Sequence, residues 1–236
     1  GPDGRVRVLL VRQDEYCSPI CDYAYQLEYA VLDANGSLDT LDVLDSTSFF
    51  SGTGIVFPSV ATNDQGDSVM LWSKGSFGEA DVRMATAEDG SSPTDADELV
   101  EGWLGINPTA VSASANGSFA LVYSGYNTDF NDNQIGAQLL LGNGTLTERR
   151  QPNSDTANGI NDVDTVTDSS GRSTISWRQY NGSETQILYR QMDSSGNLIL
   201  GAPSVGSNET PFTAGSSHDG LTLAPNGTGY LAFSQP

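Results

Sequence analysis

A glycine followed six residues later by a large apolar residue recurs along the whole of this 236-residue chain. The pairs are Gly66 with Trp72, Gly117 with Tyr123, Gly171 with Trp177 and Gly227 with Phe233, and Gly4 with Leu10 fits as a fifth. Successive glycines lie 62, 51, 54 and 56 residues apart. A period of that size marks one supersecondary unit used repeatedly. Two further elements interleave with the first. Strand-like runs ending in a glycine turn occupy 29–36, 82–90, 139–144 and 189–196, and runs preceding the first glycine occupy 58–63, 108–113, 161–166 and 218–223. Each unit therefore reads as four short strands, a to d. Strand b carries the aromatic, and glycine turns that need positive φ join a to b and c to d. The best helical candidate, 94–101, is one or two turns at most and doubles as a strand d.

The b runs are apolar on alternate positions, as Met70 and Trp72 or Phe119, Leu121 and Tyr123, and mostly apolar on the other set too. Thr174 and Ser176 are the polar exception. A strand apolar on both sides is buried on both sides. Radially stacked four-stranded sheets do this and a single two-layer sandwich does not. The expected fold is all-β: a β-propeller of four-stranded blades, with about five units of about 56 residues. The boundaries run 3–45 for a partial blade, then 55–102, 106–150 and 160–203, then 216–236 for a second partial blade. Strand b occurs five times and the others four times each, so the first unit lacks a and the last lacks c and d. Unpaired blade edges invite pairing, so contact with other chains or copies of the same chain is expected. Gly1-Pro2 has the look of an expression-tag scar and is set aside. The rival architecture is a pair of immunoglobulin-like or fibronectin-type sandwiches of about 100 residues each.

The run from Pro58 to Trp72, Pro-x-Val-Ala-x-Asn-Asp-x-Gly-x-x-Val-x-x-Trp, is followed by a loop and by Val82 with its turn Gly90. This pattern resembles secreted microbial β-propeller repeat proteins. It lacks the Gly-His and Trp-Asp dipeptides of WD40 repeats. It also departs from the sialidase Asp-box, because the aromatic falls six residues after glycine rather than three.

Antiparallel strands alternate direction, so the glycine turns share one end of each blade and the b–c and d–a loops share the other. The b–c loops are 13–24, 74–79, 125–133 and 179–184, and they vary in length and sequence. Variable loops on a rigid scaffold carry binding. Tyr16, Tyr23, Phe77, Tyr126, Phe130 and Tyr180 are the aromatics available there. Asn-x-Ser/Thr sequons begin at Asn35, Asn116, Asn143, Asn181, Asn208 and Asn226, with Asn35, Asn116, Asn143 and Asn226 on the glycine-turn end. Glycans there would leave the variable-loop end free.

Charge narrows the partners. Ten Lys and Arg face 30 Asp and Glu for a net −20, with Lys74 the single lysine. A nucleic-acid grip needs basic surface, and anionic membranes repel such a chain. No run of 18 apolar residues occurs. One histidine, His218, opens a strand a and reads as structural. The acidic balance suits either adaptation to high salt or an ordinary acidic secreted protein.

Cys17 and Cys21 lie four residues apart in the first b–c loop. Metal chelation would need further thiol or imidazole ligands, and a redox pair would be spaced Cys-x-x-Cys. A loop disulfide is expected, which suits an oxidising, extracellular or cell-surface location. Asp129, Asn131 and Asn133 place oxygen ligands at alternate positions, as a loose calcium loop does. An EF-hand is excluded, since Gln134 and Leu140 stand where Gly and Glu are required. Asn161, Asp162 and Asp164 form a weaker cluster. Calcium is the sole cofactor these loops suggest. No spacing singles out a carboxylate pair for glycoside hydrolysis, and no catalytic residue is assigned. The expected function is an extracellular, non-enzymatic β-propeller module with a structural, adhesive or surface-assembly role. The alternative is a carbohydrate-binding or glycoside-hydrolase-like propeller acting at the variable-loop end.

Overall fold

A computed structural model describes residues 3–18, 21–49, 51–76, 79–103, 108–127, 132–153, 158–180, 185–199, 204–205, 217–223 and 229–234. Every described element is a β-strand. The chain divides into two compact units, Gly1–Asn107 and Pro108–Pro236.

In the first unit β1 (Val6–Cys17), β2 (Cys21–Leu32) and β3 (Leu38–Ser46) form one antiparallel sheet in chain order. A second follows from β4 (Gly54–Thr62), β5 (Ser68–Gly75), β6 (Ala80–Ala87) and β7 (Asp97–Trp103). The ambiguous stretch at 94–101 thus contributes to a strand d. Leu27, Tyr29 and Val31 of β2 pack with Ile55, Met70, Trp72 and Ala85 of the second sheet, which joins the two face to face.

In the second unit β8 (Thr109–Ala113), β9 (Phe119–Asn127) and β10 (Asp132–Leu140) form a three-stranded sheet. A four-stranded one follows from β11 (Asn158–Thr167), β12 (Ser173–Tyr180), β13 (Thr185–Met192) and β14 (Ser204–Val205). β15 (Ser217–Leu223) and β16 (Gly229–Ser234) pair as a hairpin. Val122, Ile135, Leu139, Ile175, Trp177 and Met192 lie in the core of this unit. An immunoglobulin-type sandwich interleaves its strands between two sheets. Here each sheet is a run of consecutive strands, so the sandwich rival fails on connectivity.

The b strands are β1, which carries Leu10 at the motif position, and β5, β9, β12 and β16, which carry the aromatic. Burial on both faces holds for β5 from Ser68 to Ser73 and for β9 from Phe119 to Tyr123. Even Ser176 of β12, expected as a polar exception, is fully buried beside Ile175 and Trp177. β1 departs from the pattern: Val6, Leu10 and Val11 are exposed, and its outer edge has no partner strand among the described residues.

One five-residue turn recurs at 33–37, 63–67, 114–118, 141–145, 168–172 and 193–197. Its first N–H donates to the fifth carbonyl at 2.8–2.9 Å, and the fourth N–H, always glycine, donates back to the first carbonyl at 2.9–3.2 Å. The glycines have φ between +80° and +94°, where a Cβ is strained. The acceptor side chain in first position completes the turn. Asp33, Asn63, Asp168 and Asp193 each take two backbone N–H donors on Oδ1, from residues two and four further on. These Asx turns join a to b and c to d.

Among the described residues the sheet of β8–β10 has no regular fourth strand. The outward amides of β10 are satisfied otherwise: Ile135 N donates to Asn153 Oδ1 at 2.9 Å, Ala137 N to the Arg150 carbonyl at 2.9 Å, and Leu139 N to Thr147 Oγ1 at 2.9 Å. Two side chains and one isolated backbone bridge thereby stand in for a strand, as buried backbone donors demand.

Candidate functional site

The b–c and d–a loops of the first unit build a recess at the variable-loop end. The β1–β2 hairpin projects there, with Glu15 opposite Tyr23, Tyr16 opposite Asp22 and Cys17 opposite Cys21. The two cysteines form the expected disulfide across the tip. Glu15 and both sulfurs lie within 4.8 Å of one another, but the disulfide leaves no thiolate to bind a metal. The Tyr23 hydroxyl donates to Glu15 Oε1 at 3.3 Å. That negative charge raises the Tyr23 pKa, because it opposes a second anion beside it.

The connection from β3 to β4 closes the recess from the side. Thr47 ties this connection to β2: its N–H donates to the Tyr25 carbonyl at 2.8 Å, and its hydroxyl accepts from Tyr25 N at 2.9 Å. Tyr25 lies against Gly54, where a Cβ would sit 3.9 Å from ring atom Cε2. Gly75 admits no side chain, since a Cβ would strike the Glu79 carbonyl. The result is a cavity of about 320 Å³ whose lining includes Asp22, Tyr23, Tyr25, Gly54, Gly75 and Ser76. Among the described residues Asp22 is the only charged one in that lining.

A charged cluster anchors the wall. Asp45, at the end of β3, accepts from Trp72 Nε1 at 3.0 Å and from Lys74 Nζ at 2.6 Å, and Arg83 approaches it at 3.8 Å. Lys74 also donates to the Ser46 carbonyl at 3.0 Å. The single lysine of the chain is therefore a structural tie between the two sheets. It sits one residue before Gly75, so the tie holds β3 and its outgoing connection against the strand that floors the cavity.

A second recess of about 270 Å³ lies at the glycine-turn end of the same unit, lined in part by Arg5, Arg7, Tyr29, Asp39 and Glu88. Its arginines are spent on acids: Arg7 pairs with Asp3 at 2.8 Å and Asp89 at 3.0 Å, and Arg5 with Asp39 at 3.5 Å. Arg7 pulls the Asp3 carboxyl down to about 2. Among the described residues no net positive charge is left in this lining to attract an anion. Asp168 and Asp193 also sit below their ordinary value. Burial pushes Asp168 up, but donors from Ser170 and Arg172 outweigh it; for Asp193 the leading cause is the Asn197 N–H. These three acids are held ionised at neutral pH, the opposite of a proton donor.

The other expected residues fall elsewhere. Asp129 and Asn131 of the calcium proposal lie outside the described residues. Asn133 is half-buried, and its main-chain carbonyl accepts from Asn153 Nδ2 at 3.0 Å. In the weaker cluster Asp162 pairs with Arg178 at 3.0 Å, while Asp164 accepts from Thr165 N at 2.8 Å and Leu221 N at 2.6 Å. Both carboxylates are occupied by protein donors. His218 pairs through its backbone with Phe233. Asn35, Asn116 and Asn143 are exposed in glycine turns. The Asn116 amide nitrogen, the glycan acceptor, lies against Gly171, and its Oδ1 accepts from Ser118 N at 3.0 Å. Asn181, Asn208 and Asn226 are outside the described residues, as are Phe77 and Phe130. Tyr126 is half-buried and Tyr180 exposed in the second unit, and Tyr16 and Tyr23 belong to the hairpin above. Sequence reasoning missed Tyr25, Thr47, Gly54 and the Asp45–Lys74 tie. Tyr25 was within reach, since it lies two residues after Tyr23 and shares its strand face.

No protein-family model matches the chain, and no curated protein does. Solved structures similar to this chain include an endo-arabinase from Bacteroides thetaiotaomicron, with 10% identity over 96% of this chain and 89% of that one and a TM-score of 0.45. A glycosyl hydrolase from Bacteroides ovatus shows 13% identity over 99% of this chain and 78% of that one, with a TM-score of 0.44. An arabinanase from Bacillus subtilis shows 14% identity over 80% of this chain and 75% of that one, with a TM-score of 0.42. The expectation of a non-enzymatic structural, adhesive or surface-assembly module is corrected here. These three structures are named as an endo-arabinase, a glycosyl hydrolase and an arabinanase.

Proposed function

We propose that the chain is a glycoside-hydrolase-like β-propeller that engages carbohydrate at the variable-loop end of its first unit. The observation that carries this is the cavity beside Gly54 and Gly75. Tyr23 and Tyr25 offer apolar faces with polar tips, which suits rings that are apolar on one face and hydroxylated at the edge. Asp22 and the exposed glycine backbone supply the few fixed polar groups that orient a ligand. A volume of about 320 Å³ admits one or two sugar rings. With Asp22 the only charge among the described lining residues, the preferred sugars are neutral. Meandering sheets in chain order, with their turns at one end and variable loops at the other, support the propeller reading. The disulfide supports secretion.

Glycosidic cleavage needs two carboxylates flanking the bond. Asp22 is the one carboxylate in the described lining, and Glu15, which accepts from Tyr23, lies outside that lining on the other face of the ladder. The test is calorimetric titration with arabinan, xylan and β-glucan and their short oligosaccharides, together with a reducing-sugar assay. At least one should bind, Tyr25→Ala should weaken it about tenfold, and any reducing-sugar release should vanish in Asp22→Asn. Absence of binding across the panel, or equal binding by Tyr25→Ala, would defeat the proposal.

A further inference from the structure

We infer that a second, outer subsite flanks this cavity, built on Tyr16 and Phe49, and that it takes further rings of a polysaccharide chain. The inference rests on the reading of the cavity as a sugar site. Tyr16 lies directly across the β1–β2 ladder from Asp22, a cavity residue, so the two features are contiguous. Phe49 comes from the connection that also supplies Gly52 to the cavity lining. The two rings meet with centroids 5.9 Å apart, tilted by 57°. They reach each other from segments 33 residues apart in sequence.

The pair is unusual in its exposure. Tyr16 is 51% exposed and Phe49 38%. Large aromatics this open to water gain little stability from their position, and a contiguous exposed patch usually marks a contact site. The tip is also held in place. Cys17, next to Tyr16, is bonded to Cys21, so the hairpin end cannot open. Such pre-ordering lowers the entropy cost of binding. Asp14 and Asp22 share the Tyr16 face of the ladder, and their negative charge selects against acidic polymers and against a nucleic acid. Between a neutral polysaccharide and a second copy of this acidic chain, continuity with the cavity favours the polysaccharide.

The experiment compares polymer with disaccharide. Arabinan, xylan and β-glucan and their disaccharides are titrated into the intact protein. For the glycan that binds, the polymer should bind about five- to tenfold tighter than its disaccharide, the factor expected of one or two stacked rings. Tyr16→Ala with Phe49→Ala should abolish that advantage and leave disaccharide affinity unchanged. Reduction with dithiothreitol, or Cys17→Ser with Cys21→Ser, should reproduce the loss. Both aromatics are largely exposed, so the double variant should fold, and a melting curve checks this. An unchanged polymer-to-disaccharide ratio in the variant overturns the subsite while leaving the cavity proposal standing. So does a change in oligomeric state by light scattering without a change in the ratio, which would assign the patch to a second copy. If no glycan binds at all, both proposals fall.

Discussion

The tie between Asp45 and Lys74 offers a demanding test, because it joins two sheets beneath the cavity. Replacing Asp45 by asparagine keeps the shape and removes the charge. At 2.6 Å and an effective dielectric of about 20, the direct attraction is roughly 6 kcal/mol. Much of this offsets the cost of taking both groups out of water. The Asp45 side chain is 10% exposed and that of Lys74 21%, so some solvent reaches the pair and screens it. A net loss of about 2–3 kcal/mol follows, below the ~3–5 kcal/mol of a fully buried pair. In Asp45→Asn, Trp72 keeps an acceptor only if the new amide turns its oxygen toward Nε1, which aims its NH₂ at the Lys74 ammonium. For a chain of this size the loss corresponds to a fall in Tm of about 5–10 °C. Thermal unfolding of Asp45→Asn, Lys74→Met and the double variant measures the coupling directly. It should survive about 1 M salt, which screens surface pairs. Carbohydrate affinity should fall with it, because the connection from Thr47 to Gly54 loses its anchor. A coupling below about 0.5 kcal/mol, or one erased by salt, is the range of exposed pairs and would refute the reasoning.

Two further outcomes are expected. Asn153→Ala orphans the buried Ile135 N–H and should cost about 2–3 kcal/mol, read as a drop in denaturation midpoint; a loss under about 0.5 kcal/mol would mean that water replaces the side chain. Asp193 is held below its ordinary value of 3.8, so its contribution to stability is present above that value and is lost as pH falls through the lower, folded-state value. The melting temperatures of wild type and Asp193→Asn should therefore differ at neutral pH and converge in acid, and a pH-independent gap would contradict the Asx-turn account.

The glycine turns were legible because their chemistry is contiguous. Asp193, Ser195, Gly196 and Asn197 hold every donor and acceptor the turn needs within five residues, so a short pattern suffices to specify it. The same locality made the disulfide of Cys17 and Cys21 readable. The alternation around Trp72 and Tyr123 likewise announced strands buried on both faces. β1 broke that rule, because its pattern matches the other b strands while its neighbours do not. Burial depends on what packs against a strand, and Val6 and Leu10 carry no mark of that in their own segment.

The site lay further from reach. Tyr16 and Tyr23 could be named as loop aromatics, but nothing in sequence distinguished them from Tyr180 in the second unit. Phe49, Thr47 and Gly54 were unremarked, since they gain meaning only against Tyr25 and the hairpin tip. Of the expected calcium ligands, Asp129 and Asn131 lie outside the described residues, and the main-chain carbonyl of Asn133 accepts from Asn153, twenty residues on. By itself, then, the sequence determined the repeat, its strands and its turns, all governed by hydrogen bonds and side-chain alternation within a few residues. Only the tertiary structure decided which loops converge and which charges meet. Asp45 and Lys74 are 29 residues apart, and their pairing follows from the face-to-face packing of two sheets, a long-range constraint that local spacing does not encode.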